Sequence, residues 1–195
     1  MTVSPNVRAG MIRKAKLLFE EPDWFFELLH KDLAKLQRYA ERWDVYAFCR
    51  LNVASDLDWM QLMEMYPYIN FYDYTKVRSR IDMYAAGDVP ENYSITASWN
   101  ERMAMADMKR WLKRGVNGAV VWDTPYNGAH PHLTRELPTS WDRLPKVECF
   151  NADLHDIRHP AYDGEGRLGF LHYKGLKSHL PEAVKRGFVL HDARY

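Results

Sequence analysis

Between Val45 and Lys76 the chain reads as strand, helix, strand, and that order leaves few folds open. Val45 to Leu51 (VYAFCRL) is a short apolar and aromatic run. Leu57 to Met65 carries apolar residues at helical spacing, and Ile69 to Tyr74 (INFYDY) is aromatic and β-rich. Two strands joined by one helical crossover lie parallel, since a tight hairpin can join only antiparallel strands. Each strand ends in a polar cluster: Arg50, Asn52, Ser55 and Asp56 after the first, Asp73, Tyr74, Thr75 and Lys76 at the second. In parallel α/β sheets, ligands gather at that end.

The flanking sequence extends the same pattern. Ser4-Pro5 is a helix start, followed at helical spacing by Val7, Met11, Ala15 and Leu18. A second helix is expected from Pro22 to Arg42, with Trp24, Leu28, Leu29, Leu33, Leu36 and Tyr39 as its apolar stripe. Its Lys31, Lys35, Gln37, Arg38 and Glu41 read as a solvated face. After Lys76 come a short helix halted by Gly87-Asp88-Val89-Pro90, a strand at Tyr93 to Ala97, and an amphipathic helix from Arg102 to Arg114 closed by Gly115. Further strands are expected at Val116 to Trp122, Lys146 to Phe150 and Leu168 to Tyr173. The alternation predicts a single α/β domain over residues 1–195, with a mainly parallel sheet or partial (β/α) barrel of about six strands. Its parts would be the N-terminal helices (1–44), repeated β-α units (45–175) and a C-terminal tail (176–195).

Lys and Arg total 27 against 26 Asp and Glu, a net charge of +1, which excludes an acidic nucleic-acid mimic and a uniformly basic coat while leaving a local basic patch open. Two cysteines, Cys49 and Cys149, are too few for a disulfide framework, so a reducing cytoplasm is expected. The N-terminus lacks a long apolar h-region and no run of about 18 apolar residues occurs, so neither secretion nor a membrane span is expected. The glycine-rich dinucleotide turn, the P-loop and the nucleophile elbow are all missing, which sets aside dehydrogenase, P-loop ATPase and α/β-hydrolase readings.

The densest set of functional side chains is Asn151 to His159 (NADLHDIRH). Asp153, His155 and Asp156 could work as acid and base or help hold a divalent metal. They could equally form a turn in which the aspartates cap amides and Arg158 pairs with one of them. Arg50 and Lys76, ending neighbouring strands, could converge on a phosphate, with Asn52, Asp56 and Tyr74 around it. Asp56 has the alternative role of helix cap. Tyr72 and Tyr74 share one face of their strand and Phe71 and Asp73 the other. The aperiodic stretch Asp123 to Pro145, with four prolines, is expected to cover the mouth of the same cleft. It would bring His130 and His132 as further ligands or proton carriers, and Trp141 to close over a base-like group.

The motifs LLFEEPDWFFELL, RLNVASDLDW, FYDYTKV, NYSITASWNE, RGVNGAVVW, NADLHDIRHP and LGFLHYKG, in this order from about Met11 to Lys177, resemble the phage-encoded gene product 88 family. That family's runs read LFFED, RLNGTSDIPW, FYDYTKV, NYHLTFS, GVNVAVVF, DGDKHDLRFLDP and VGLKAKG. Positions matching its polar motifs are Arg50, Asn52, Ser55, Asp56, Tyr72, Asp73, Tyr74, Thr75, Lys76, Asn117, Asp153, His155, Asp156, Arg158 and Lys174. The resemblance implies a phage protein in the host cytoplasm and supplies no reaction. Family members carry a cysteine cluster upstream of the LFFED-like helix; this chain begins after that point, and an iron–sulfur cluster is not expected with two cysteines. The chain departs from the pattern in VASD, in ADLHDIRHP and in HYKG, where the family has KAKG. Two functions follow as expectations. One is an enzyme, or enzyme descendant, acting on a nucleotide or nucleic-acid phosphate, with Asp153, His155 and Asp156 catalytic and Arg50, Asn52, Asp56, Tyr74, Lys76 and Lys174 binding. The other is a non-catalytic accessory protein that binds a host protein. No oligomeric state follows from either.

Overall fold

The computed structural model describes residues 5–53, 55–125 and 136–191. Helices α1 (Pro5–Glu20) and α2 (Pro22–Trp43) precede the sheet. Pro22 opens α2 with its φ already helical, and Asp23 in the first turn suits the positive end of the helix dipole. The helix ends at Asp44, which adopts a left-handed conformation (φ 50°) and returns its N–H to the carbonyl of Ala40. The broad apolar stripe expected for α2 divides. Leu33 and Ala40 are buried and Leu29 and Leu36 pack against the core, while Trp24, Leu28 and Tyr39 face outward. A helix lying on one surface buries only a stripe roughly 100° wide. Phe25 stacks on Trp59 with centroids 6.2 Å apart, and Nδ1 of His30 lies 2.8 Å from the Tyr66 hydroxyl, fixing α2 to the chain before the second strand.

The sheet contains β1 (Ala47–Cys49), β2 (Ile69–Thr75), β3 (Tyr93–Ser98), β4 (Asn117–Pro125), β5 (Cys149–Asn151), β6 (Leu168–Tyr173) and β7 (Val189–Leu190). Its order is β1-β2-β3-β4-β6-β5, with β7 on β4, and every pairing is parallel. Helices α3 (Met60–Glu64), α4 (Arg78–Ala86) and α5 (Met105–Lys113) make the first three crossovers, as the strand-helix alternation predicts. A seventh strand comes from the C-terminal tail. β3 pairs only with Asn117 to Ala119, and β7 takes the edge of β4 beyond it, at Val121 and Trp122. The Trp99 indole marks the handover by donating to the Gly187 carbonyl (2.8 Å).

Strand alternation separates two faces. Ile69, Phe71, Ile95, Val120, Leu168 and Phe170 are all but fully buried, and α5 contributes Met108 and Trp111 to the same cluster. Gly118 gives α5 room, since a Cβ there would lie 2.6 Å from the Met108 sulfur. The segment expected to be a lid, where it is described, is core: Leu137, Trp141 and Leu144 are buried, and Trp141 meets Trp122 edge-on with centroids 6.0 Å apart. Trp141 therefore packs inside rather than closing over a ligand. His130 and His132 lie outside the described residues, as does the Ser4 cap. The opposite face carries Phe48, Tyr72, Tyr74 and Phe150, and the segment around α6 (Pro160–Asp163) crosses it. The Arg158 guanidinium lies 5.5 Å from the Phe150 ring of β5, and His159 and Tyr162 meet Phe48 of β1 at 5.5 and 5.6 Å. One short segment thus links the two ends of the strand order and forms the closing side of a partial barrel.

Gly166 turns the chain into β6 at φ +65°, its N–H bonded to the Gly115 carbonyl (3.0 Å), and a Cβ there would overlap the Leu112 carbonyl oxygen. Gly87 is equally left-handed (φ +82°), with open space around it. Gly166→Ala should therefore cost roughly 1–3 kcal/mol more than Gly87→Ala. A chain of this size loses about 2–4 °C of melting temperature per kcal/mol. Equal melting temperatures for the two variants would contradict the close packing assigned to the β6 turn.

Candidate functional site

All the candidate residues lie at or beyond the C-terminal ends of parallel strands, and their contacts fall into three groups. Asn52 and Asp56 bind the chain after β1 to β2. The Asn52 amide donates to Asp73 Oδ2 and to the Leu57 carbonyl (both 2.9 Å), and its oxygen accepts from Ser55 Oγ, Leu57 N and Trp59 Nε1 at 2.8, 3.0 and 3.0 Å. Those bonds take up the whole capacity of its amide. Asp56 accepts from the Thr75 hydroxyl (2.6 Å) and stands 3.6 Å from Arg80. Asp73 also accepts from the Tyr93 hydroxyl (3.0 Å), which itself accepts from Arg80 (2.5 Å). Burial raises the Asp73 pKa, opposed by hydrogen bonds from Asn52 and Tyr93 and by the charge of Arg80. This network braces the rim of the site.

The second group surrounds Tyr72 and Tyr74. The Arg50 guanidinium lies 4.9 Å over the Tyr74 ring. Arg158 and Asp163, both buried, pair at 3.0 Å, and Arg158 also donates to the His155 carbonyl and lies 3.0 Å from His155 Nδ1. Burial pushes the Tyr74 phenol up to about 12, with Arg158 and Arg50 opposing that rise and Asp163 and Asp153 adding to it. Burial also raises Tyr72, with Arg50 opposing the rise and Asp156 adding to it. Arg50, His155, Asp156 and Tyr74 thus share one electrostatic neighbourhood, and Arg158 pairs with Asp163 rather than with Asp153 or Asp156 as the turn reading expects.

The third group holds Asp153, Lys76 and Lys174. Asp153 Oδ2 accepts from both the backbone N–H (2.7 Å) and ring Nδ1 (2.6 Å) of His172, while Lys174 Nζ pairs with Oδ1 at 2.7 Å. A carboxylate can only accept, so Nδ1 carries the proton and Nε2 becomes the basic nitrogen of the neutral ring. His172 and Lys174 line a cleft of about 1180 Å³ whose walls also include Lys76, Arg78, Arg102, His179, Arg186, Glu101 and Glu182. Its apolar lining is Val121, Leu171, Ala183 and Phe188. Arg78 is paired with Asp107 (3.0 Å) and Arg186 with Glu182 (2.8 Å). The side chains of Lys76, Arg102 and His179 form no ion pair among the described residues, and Lys76 Nζ rests 5.5 Å from the Phe188 ring.

The position of the cleft follows from topology. The chain leaves β4 towards β5, on the far side of β6, whereas it leaves β6 back towards β7 on the other edge of β4. Connections departing in opposite directions open a crevice beyond the strand ends. His172 escaped the sequence reading because a lone His in an apolar strand looks like core; its signal was the departure HYKG from the family's KAKG. Arg102 and His179 carried no motif at all. Among the described residues no three His, Cys, Asp or Glu side chains converge as a metal site would require. Cys49 and Cys149 are free thiols that burial pushes up to about 11. No helix of the described residues is long and apolar enough to cross a membrane.

Burial alone would raise the pKa of Asp153, but hydrogen bonds from Lys174 and from the backbone and ring of His172 outweigh it and hold the carboxyl below its ordinary 3.8. A depressed acid stabilises the fold fully above the unfolded value, and that contribution disappears as pH falls through the folded one. The stability advantage of the native chain over Asp153→Asn should therefore be constant above pH 5 and shrink as the pH falls below 3.8. Chemical denaturation of both proteins at several pH values measures it; a gap that widens on acidification would contradict this pairing.

No curated protein and no solved structure matches the chain significantly. The family model for gene product 88 matches residues 1–190, nearly the whole sequence and every strand of the sheet. The chain belongs to the phage gene product 88 family.

Proposed function

We propose that the cleft at the C-terminal ends of β4 and β6 binds a phosphate-bearing substrate, a nucleotide or a nucleic-acid end, and that His172 acts on it as general base or acid. The observation that carries this reading is the pairing of Asp153 with His172 at 2.6 Å in the wall of a cleft whose Lys76, Arg102 and His179 have no ion-pair partner among the described residues. Lys76 and Arg102, cations with no ion-pair partner among the described residues though Glu101 stands in the same wall, border an apolar lining and suit an anion attached to a ring or chain. Asp153 holds the imidazole in one tautomer and favours its protonated form during transfer. In this reading Asp153 orients His172, Lys76 and Lys174 bind phosphate, and Arg50, Tyr74, His155 and Asp156 line the adjoining face. A divalent ion would be coordinated in part by the substrate's own phosphate oxygens, as magnesium commonly is.

A second reading has its own observation. Val7, Met11, Ile12 and Phe19 of α1 and Trp24 of α2 are exposed, and no residue of α1 is buried. Such an apolar surface suits an accessory protein that docks on a host protein.

Titration with nucleoside mono-, di- and triphosphates and short oligonucleotides, followed by turnover assays, separates the two. Lys76→Ala should weaken phosphate binding about tenfold, the loss of one charge-assisted contact. His172→Asn should leave affinity in place and lower turnover by about 10²–10⁴. Absence of binding and turnover with every phosphate ligand, together with a stoichiometric host-protein complex, would favour the accessory reading.

A further inference from the structure

The outer face of α2 carries a second feature that the cleft does not use. Lys31, Lys35, Arg38 and Arg42 follow one another at steps of four, three and four residues, so they form a single stripe down the helix. At 1.5 Å per residue it is about 16 Å long. All four are exposed, and none forms an ion pair with a described residue. The acids beside the stripe, Glu27, Asp32, Glu41 and Asp44, are likewise exposed and form no ion pair with it among the described residues. Two exposed aromatic rings, Tyr39 (59%) and Trp43 (59%), stand beside the cations, and Tyr46 (83%) follows beyond the end of the helix. Arg42 lies 5.5 Å from the Trp43 ring, and Tyr39 and Trp43 tilt against each other at 6.4 Å. Lys35, Arg38, Tyr39, Glu41, Arg42 and Trp43 line a shallow surface notch.

A solvated helix face has no need of large rings in water, and an apolar protein contact has no need of a stripe of four cations. A backbone of regularly spaced phosphates bearing flat bases satisfies both. We infer that the C-terminal half of α2 is a docking surface for single-stranded nucleic acid, with the cation stripe following the phosphates and Tyr39, Trp43 and Tyr46 stacking bases. Duplex is a poorer fit, because its bases are already stacked and closed to the rings. The near-neutral net charge of the chain confines this attraction to the patch. The inference stands whether or not the cleft acts on phosphate.

Fluorescence anisotropy of a labelled 20-residue single strand with the full chain tests it. Four neutralised phosphates give a salt slope of about −2.8, so affinity should fall about 50-fold between 50 and 200 mM salt. The double variant Lys35→Ala/Arg38→Ala should halve that slope. Trp43→Ala should weaken binding about 5- to 150-fold with the slope unchanged. These exposed positions allow unchanged melting temperatures to confirm folding, and Lys113→Ala, an exposed cation on α5 away from both the cleft and α2, should leave strand binding unaffected. The inference is overturned if the chain binds no strand at 50 mM salt, or if the α2 variants bind as the native chain does. It is also overturned if poly-glutamate competes as well as nucleic acid at equal charge, since the partner would then be an acidic polypeptide.

Discussion

Parallel strand pairing is the constraint on which the rest of this structure depends. Because every strand pair among the described residues is parallel, successive strands are joined by a return across a face, and the seven strands described end on one side. Side chains far apart in sequence, such as Lys76, Asp153 and His172, therefore meet at one rim without any local signal joining them. Burial on one face is supplied by the cluster of Phe71, Trp111, Met108 and Phe170. On the other face, Arg158 and Asp163 are buried together. That arrangement stabilises little by itself, but it would be costly to break, since removing one partner strands the other's charge.

β4 is the strand on which the site turns. It pairs with β3, β6 and β7, and the opposite departures from β4 and β6 open the cleft between them. The order β6 before β5 at the edge also brings Asp153, just beyond β5, alongside His172 near the end of β6. A carboxylate accepting hydrogen bonds from both backbone and ring of one histidine is held in two directions at once, so its geometry is stiff. Stiffness of this kind is what an acid–base pair requires, because the proton must be offered in one direction.

How much of this could be read from the sequence divides along physical lines. Strands β2, β3, β4 and β6 were legible because each is at least six residues long, β-rich and bounded by turn residues. β1 and β5 were legible too, at Val45 to Leu51 and Lys146 to Phe150, but each is only three residues long, so their bounds depend on their neighbours, as does the two-residue β7. The rim of polar residues was legible from strand ends. The division of that rim was not: Asn52 and Asp56 sit there as plausibly as Lys76, and only the contacts of Asp73, Thr75 and Trp59 show that they brace the turn. His172 and Asp153 are 19 residues apart, and their pairing follows from register alone. Trp141 misled for the reverse reason, since an aromatic in a proline-rich stretch looks like a lid, whereas here it fills the space beside Trp122.

The account turns on His172 being held with its Nδ1 proton on Asp153 while its other nitrogen meets a phosphate ligand in the cleft. Long-range proton–nitrogen NMR of the histidine rings, recorded with and without a saturating nucleoside triphosphate, reads both halves directly. The account predicts a His172 ring that carries its Nδ1 proton toward Asp153 in the free protein and a marked shift of its Nε2 resonance on ligand addition, lost in Asp153→Asn. A ring protonated at Nε2 alone, or an Nε2 resonance that stays in place while the nucleotide is demonstrably bound, would contradict it.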